Sequence, residues 1–234
     1  MTTAKIEFDR ERATQYDLDI RKAIPGYEAL HGMAYSLLQT NLSESARLLV
    51  VGSGTGMELV NYCQQNQTWS LMGVEPSAEM MSIAVEQLNT LGYQQRVDLH
   101  MGYVSTLPET EPMDAATLML VMHFLPDDGS KLQLLKDIAR CLKPGAQLVL
   151  ADLYGDRSKP DFAKLRKAWQ ALYFSQLNNE SRDTEAFQTS IDNSIYFVTE
   201  ARIIELLQAT GFSNITKFYN AFLFGGWIAQ YTGS

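Results

Sequence analysis

Three alternate glycines, Gly52, Gly54 and Gly56, follow the apolar run Leu48–Val51 and precede a helical pattern that begins at Met57. Glycine takes the backbone angles of a tight turn and lets a ligand approach the main chain. The start of the next helix offers unpaired N–H groups and a dipole, so the loop is expected to hold a negatively charged or crowded group through the backbone of Gly52, Ser53 and Gly54. Glu75 stands 23 positions after Gly52, at the end of the second apolar run. That is close to the roughly 20-residue offset at which a carboxylate meets ribose hydroxyls in nucleotide-binding α/β folds, and a carboxylate can accept both bonds of a vicinal diol. A dinucleotide fingerprint, G-x-G-x-x-G, requires a third glycine where this chain has Met57. The alternative for the loop by itself is a ligand-free turn from strand to helix.

A third chemistry-bearing position closes the apolar run Leu118–Met122. His123 has a side chain whose ordinary pKa suits a general base for a hydroxyl or amine, against the alternative that it packs and hydrogen-bonds at a strand-to-loop corner. Met119 and Met122 would give apolar contact to a ligand beneath that corner. His31 and His100 have no partner identifiable from sequence and are read as structural.

The elements needed to position these residues are legible as alternation. From Ser45 onward, strand-like runs at Arg47–Val51, Ser70–Glu75, Val97–Met101, Ala115–Met122 and Gln147–Leu153 alternate with helical periods at Met57–Gln65, Ala78–Leu91 and Lys131–Cys141. This is the pattern of a doubly wound parallel sheet, an α/β fold of Rossmann-like type. Lys143-Pro144-Gly145 supplies a helix breaker, and a last helix spans Glu200–Thr210 before Gly211. Ile215–Phe224 and Trp227–Tyr231, joined by Gly225-Gly226, are expected to form a hairpin. Residues 1–44 read as an N-terminal helical lid, with a first helix through Phe8, Ala13, Tyr16, Ile20 and Ile24, a break at Pro25-Gly26 and a second helix from Tyr27. Residues 45–234 form the core, with an amphipathic helical insertion at 159–198 as a second cover. Tyr16, Tyr35, Trp169, Tyr173 and Tyr196 are candidates for an acceptor pocket and, equally, for packing.

The 234 residues are 46% hydrophobic, enough for one large core. With 19 basic and 27 acidic residues the net charge is −8, and no basic stripe is present for an extended nucleic-acid surface. No apolar run approaches the ~20 residues of a membrane span, and the first residues do not form a signal peptide, so a cytoplasmic protein is expected. Cys63 and Cys141 lack metal-ligand spacing and are expected as buried free thiols, and no metal site is expected.

The glycine loop, the strand ending in Glu75 with the Pro76-Ser77-Ala78-Glu79-Met80 cap behind it, and the run through His123 together resemble the motifs of class I S-adenosylmethionine-dependent methyltransferases. The resemblance implies a seven-stranded sheet of order 3-2-1-4-5-7-6. It also implies S-adenosylmethionine as cofactor, S-adenosylhomocysteine as product and a small-molecule acceptor. Gly52, Ser53, Gly54 and Gly56 would lie under the methionine portion, Glu75 on the ribose with Pro76 and Met80 beside it, Tyr103 and Val104 along the adenine, and Met119 beneath the reacting end. Two positions depart from the family: Val50 replaces an acid near the end of strand one, and Tyr103 replaces an acid after strand three.

Arg21–Tyr27 and Tyr219–Gly226 resemble a narrower branch, the carboxy-S-adenosylmethionine synthases of tRNA wobble-uridine modification. There Tyr27 would contact the cofactor. In that branch an arginine holds the extra carboxylate and an asparagine lies on strand four, positions taken here by Gln188 and Met119, with Arg182 and Arg202 as nearby cations. An ordinary methyltransferase is therefore expected, and a carboxy-cofactor synthase is the alternative. A nicotinamide oxidoreductase and a catalytically silent cofactor-binding subunit, compatible with a homodimer, are the other readings.

Overall fold

The computed structural model describes residues 10–109, 111–177 and 182–233. Seven strands, β1 (Arg47–Val51), β2 (Ser70–Glu75), β3 (Val97–Met101), β4 (Met113–Met119), β5 (Leu142–Leu153), β6 (Phe212–Ala221) and β7 (Phe224–Tyr231), form one sheet in the order 3-2-1-4-5-7-6. The first five run parallel, and β7 lies antiparallel between β5 and β6. The doubly wound Rossmann-like architecture expected from the alternation is thus the fold.

Alternation along each strand decides which layer a side chain enters. On β1, Leu48 and Val50 join a core with α2 (Tyr27–Asn41) and α3 (Met57–Gln65), whereas Leu49 and Val51 face a second core with α5 (Ser130–Arg140) and α8 (Glu200–Gln208). The N-terminal pair, α1 (Arg10–Ala23) and α2, is pinned to the sheet. Leu30, Ala34 and Leu38 of α2 are fully buried, and Trp169 of α6 (Pro160–Ser175) donates from Nε1 to Ala23 O at 2.6 Å. The Tyr219 hydroxyl donates to the Pro25 carbonyl at the break between the two helices. Phe8 lies outside the described residues, as do the side chains of Ala13 and Tyr16. The insertion contributes α6 and α7 (Thr184–Ser194). Cys63 and Cys141 are buried free thiols, and no described helix is long and apolar enough to cross a membrane.

Several boundaries differ from the sequence expectation, β5 for one beginning at Leu142 and not Gln147, and two of the differences have a packing reason. Strand four ends at Met119 rather than Met122, because Leu120 adopts φ +61° and turns the chain into a 3-10 segment at Met122–Phe124. Met122 therefore points into the second core, fully buried, and not toward a ligand. The hairpin turn lies at Phe222-Leu223, with Phe222 at φ +53°, and Gly225-Gly226 are inside β7. A Cβ at Gly225 would overlap the Trp227 ring, and one at Gly226 would come within 2.8 Å of Phe218. These glycines make room for aromatic rings, not for a turn.

Candidate functional site

The carboxyl ends of β1, β2 and β4 meet at the glycine loop. Gly52 N–H donates to Val74 O at 2.8 Å, Ser53 N–H to the same carbonyl at 3.0 Å, Gly54 N–H to Glu75 Oε2 at 3.0 Å, and Gly56 N–H to Ser53 O at 2.9 Å. The loop amides expected to hold an anion are thus spent on the protein's own β2 edge. Glu58 occupies the first turn of α3, so the positive end of that helix already has a buried carboxyl. A diphosphate would find little to bind here. Packing explains two of the glycines: a Cβ on Gly52 would overlap Val121, and one on Gly56 would come within 2.9 Å of Ala84. Gly54, at φ +54°, faces open space with nothing within 4 Å and is where a ligand can lie against the chain.

Glu75 is buried, its Oε1 accepting from Ser77 N–H at 2.9 Å and its Oε2 from Gly54 N–H. Burial raises its pKa and the two backbone bonds oppose the shift. Each oxygen keeps acceptor capacity for a diol. Pro76 beside it is exposed, and Met80 is buried in the first turn of α4 (Ala78–Leu91), its N–H accepted by the Ser77 hydroxyl. Beyond β3, Tyr103 is 60% exposed, whereas Val104 is buried in the second core.

A cavity of about 60 Å³ lies over the loop, walled by Tyr27, Met119, Asp17, His31, Glu58 and Leu120 together with Gly52, Ser53 and Gly54. Tyr27 and Met119, named from the resemblance as cofactor contacts, both stand on this wall. Asp17 accepts from the Thr55 hydroxyl at 2.6 Å and joins α1 to the loop, and the Tyr27 hydroxyl points at Met57 Sδ at 3.4 Å. Asp17, Glu58 and Leu120 carried no expectation from the sequence, and His31 was read there as structural. Among the described residues neither His31 ring nitrogen has a hydrogen-bond partner, whereas the Tyr62 and Thr117 hydroxyls gather around the Glu58 carboxyl. Burial lowers the His31 pKa to about 4, with Arg21 adding to the effect, and burial raises that of Glu58. The periodicity of α2 does put position 31 on the buried stripe with Tyr27, Leu30, Ala34, Tyr35 and Leu38. Leu120 left no signal, since a leucine at positive φ is set by tertiary context.

His123 lies outside that cavity wall, in the 3-10 segment after the Leu120 turn. Its Nδ1 bonds Asp152 of β5, its ring packs at 4.0 Å on Phe124, and its carbonyl accepts from Tyr196 N–H at 2.8 Å. His100 bonds the Thr106 hydroxyl at 2.9 Å. Tyr35, Trp169, Tyr173 and Tyr196 line neither this cavity nor a larger one between α2 and α3. Gln188 reaches Gln170 at 3.4 Å, Arg182 is exposed, and Arg202 is committed to Asp127 at 2.9 and 3.1 Å. The cation that would replace the branch arginine is therefore not supplied by either. Among the described residues no group of three or more His, Cys, Asp or Glu side chains is arranged for a metal.

Comparison with known proteins agrees with this geometry. The methyltransferase domain family matches residues 27–217. The demethylmenaquinone methyltransferase of Lactiplantibacillus plantarum is 26% identical over 208 residues, covering 86% of this chain and 84% of the relative. The carboxy-S-adenosyl-L-methionine synthase of Chromohalobacter salexigens is 23% identical over 230 residues, covering 97% and 83%. The crystal structure of a methyltransferase from Aquifex aeolicus superposes with a TM-score of 0.63 at 18% identity, covering 96% of this chain and all of that one. A glycine loop with its amides turned inward, Glu75 at its side and this family match lead to one assignment: the chain belongs to the methyltransferase domain family and is a class I S-adenosylmethionine-dependent methyltransferase.

Proposed function

We propose that the chain methylates a small-molecule acceptor at the carboxyl edge of β1, β2 and β4. The observation that carries the reading is the inward use of the loop amides beside the open face of Gly54. Such a loop suits a cofactor whose end is a cationic sulfonium amino acid and not a diphosphate. S-adenosylmethionine supplies an activated methyl group, so the protein has to bind, align and exclude water.

In this reading Gly52, Ser53, Gly54 and Gly56 form the floor under the methionine portion, and Tyr27 and Met119 close its far side. Glu75 accepts the ribose hydroxyls, Pro76 and Tyr103 flank the adenine, and Met80 and Val104 hold that edge from beneath. His123 is the base. Asp152 holds Nδ1 and leaves Nε2 as the nitrogen that takes the proton released by a hydroxyl or amine acceptor. The names of relatives that methylate demethylmenaquinone and arsenite support a small acceptor.

Calorimetric titration with S-adenosylhomocysteine tests the assignment. Glu75→Ala is expected to weaken binding by about 1–3 kcal/mol, the range for lost hydrogen bonds to a charged group. Unchanged affinity rejects the role of Glu75, and preferential binding of NAD⁺ rejects the cofactor class.

A further inference from the structure

Between α2 and α3 lies a second cavity, of about 400 Å³, within the range that holds a small organic molecule. It shares Tyr27, His31 and Met57 with the cavity over the glycine loop. Three features mark it as more than a packing defect. His31 is 7% exposed and lines the space with both ring nitrogens unpartnered among the described residues, a state that buried polar groups rarely keep. Its neighbour Gly32 is exposed at the mouth of the space, where a Cβ would meet nothing within 4 Å and so leaves the entrance open. The charged groups on the wall cancel, since Arg21 pairs with Glu28.

The remaining chemistry narrows the occupant. Burial keeps His31 neutral near pH 7, so it presents one N–H donor and one acceptor nitrogen and no charge. Met57 and the Tyr27 ring give an aromatic-friendly surface over which the Arg21 guanidinium now lies, 3.0 Å from Met57 Sδ and 5.3 Å from the Tyr27 centroid, so an entering ring takes its place; Asn61 and Gln64 on α3 add neutral amides. We propose that this cavity is a binding site for a small uncharged hydroxylated aromatic compound, its hydroxyl paired with His31 and its ring against Tyr27 and Met57. Since those residues also wall the first cavity, filling one site changes affinity at the other by the same factor in both directions. That coupling rests on the cofactor reading above; the site itself does not.

The three histidines make the test direct. Ring-nitrogen NMR of the full chain is followed while 1-naphthol, and separately naphthalene, is added. The expected result is a saturable shift at His31 with 1-naphthol, binding at least tenfold tighter than naphthalene, and unmoved His100. His31→Phe is expected to erase the preference between the two compounds, read by intrinsic fluorescence. Gly32→Leu, which puts a bulky side chain at the mouth of the space, is expected to abolish the His31 shift while S-adenosylhomocysteine still binds. No shift at His31, or an equal shift in Gly32→Leu, overturns the proposal. If S-adenosylhomocysteine binds and 1-naphthol does not, only this inference falls. If 1-naphthol binds and S-adenosylhomocysteine does not, the site stands and the cofactor reading falls.

Discussion

His31 and His123 are both nearly out of contact with solvent, and their surroundings are opposite. His123 is tied at three points, by Asp152 at Nδ1, by Phe124 against the ring face and by Tyr196 at its carbonyl. Lys131, also buried, anchors the same turn by donating to Met122 O at 2.7 Å. His31 has only the edge of the Tyr27 ring, 4.5 Å between centroids, and no hydrogen bond among the described residues. A histidine with one nitrogen held by a carboxylate is oriented, and its other nitrogen has a defined direction. A histidine with neither nitrogen held is tolerated only while neutral, and it keeps its full hydrogen-bonding capacity for a ligand. The same residue type is thus held in one orientation beside β5 and left with both nitrogens free of hydrogen bonds among the described residues on α2.

The largest expected effect breaks the comparison at His123. His123→Ala is expected to lower turnover by ~10²-fold or more while leaving affinity for S-adenosylhomocysteine within about threefold, the signature of a lost general base. A variant with normal turnover would return His123 to a purely packing role and remove the asymmetry between the two rings.

The next effect isolates His31 through acid stability. Its pKa is about 4 in the folded chain against an ordinary 6.5, so between those values the unfolded chain binds the proton and the folded chain does not. Stability therefore falls as pH drops from about 6.5 to about 4, and it is unaffected by this group above that window. That displacement corresponds to about 3 kcal/mol of stability lost across the window. Urea titrations at pH 7 and pH 4 are expected to show this loss in the native chain and to show it reduced by about that amount in His31→Phe. An unchanged pH dependence in the variant would mean that His31 is charged or solvated in the folded state.

The glycine-loop edge was far more legible in the sequence than either histidine. The bounds of β1, α3, β2, α4 and β3 follow directly from apolar periodicity, the Gly-x-Gly-x-Gly turn and the Ser77 cap, all of which are local signals. Glu75 and Tyr27 could be named because their neighbours in sequence define them. Strand four was overextended because the positive φ at Leu120 is set by tertiary context, and leucine carries no turn signature. Gly225-Gly226 reads as a turn in isolation, and only the aromatic side chains brought in by the sheet reveal its use. The state of the loop amides was likewise hidden, because their partners, Val74 O and the Glu75 carboxylate, come from the neighbouring strand. Burial of His31 was readable from the α2 stripe; its lack of partners was not, since that depends on what three other elements fail to offer.

The smallest expected effect sharpens the contrast beside His31. Gly32→Ala adds one methyl group inside α2, where the new Cβ has no atom within 4 Å and the backbone is helical. Nothing clashes, so the change is governed by helix preference and by the lower entropy of the unfolded chain, together about 0.5–1 kcal/mol in favour of folding. For a chain of this length that corresponds to a rise in Tm of about 1–4 °C, measurable by calorimetry. The His123 ring resonances are expected to stay in place, because Asp152 and Phe124 hold that ring independently of α2. A fall in Tm would mean that α2 and α3 close on each other and that His31 borders no usable space. A rise with unchanged His123 would show that the exposed entrance beside His31 takes a side chain without strain, which leaves the unpaired ring open to a ligand.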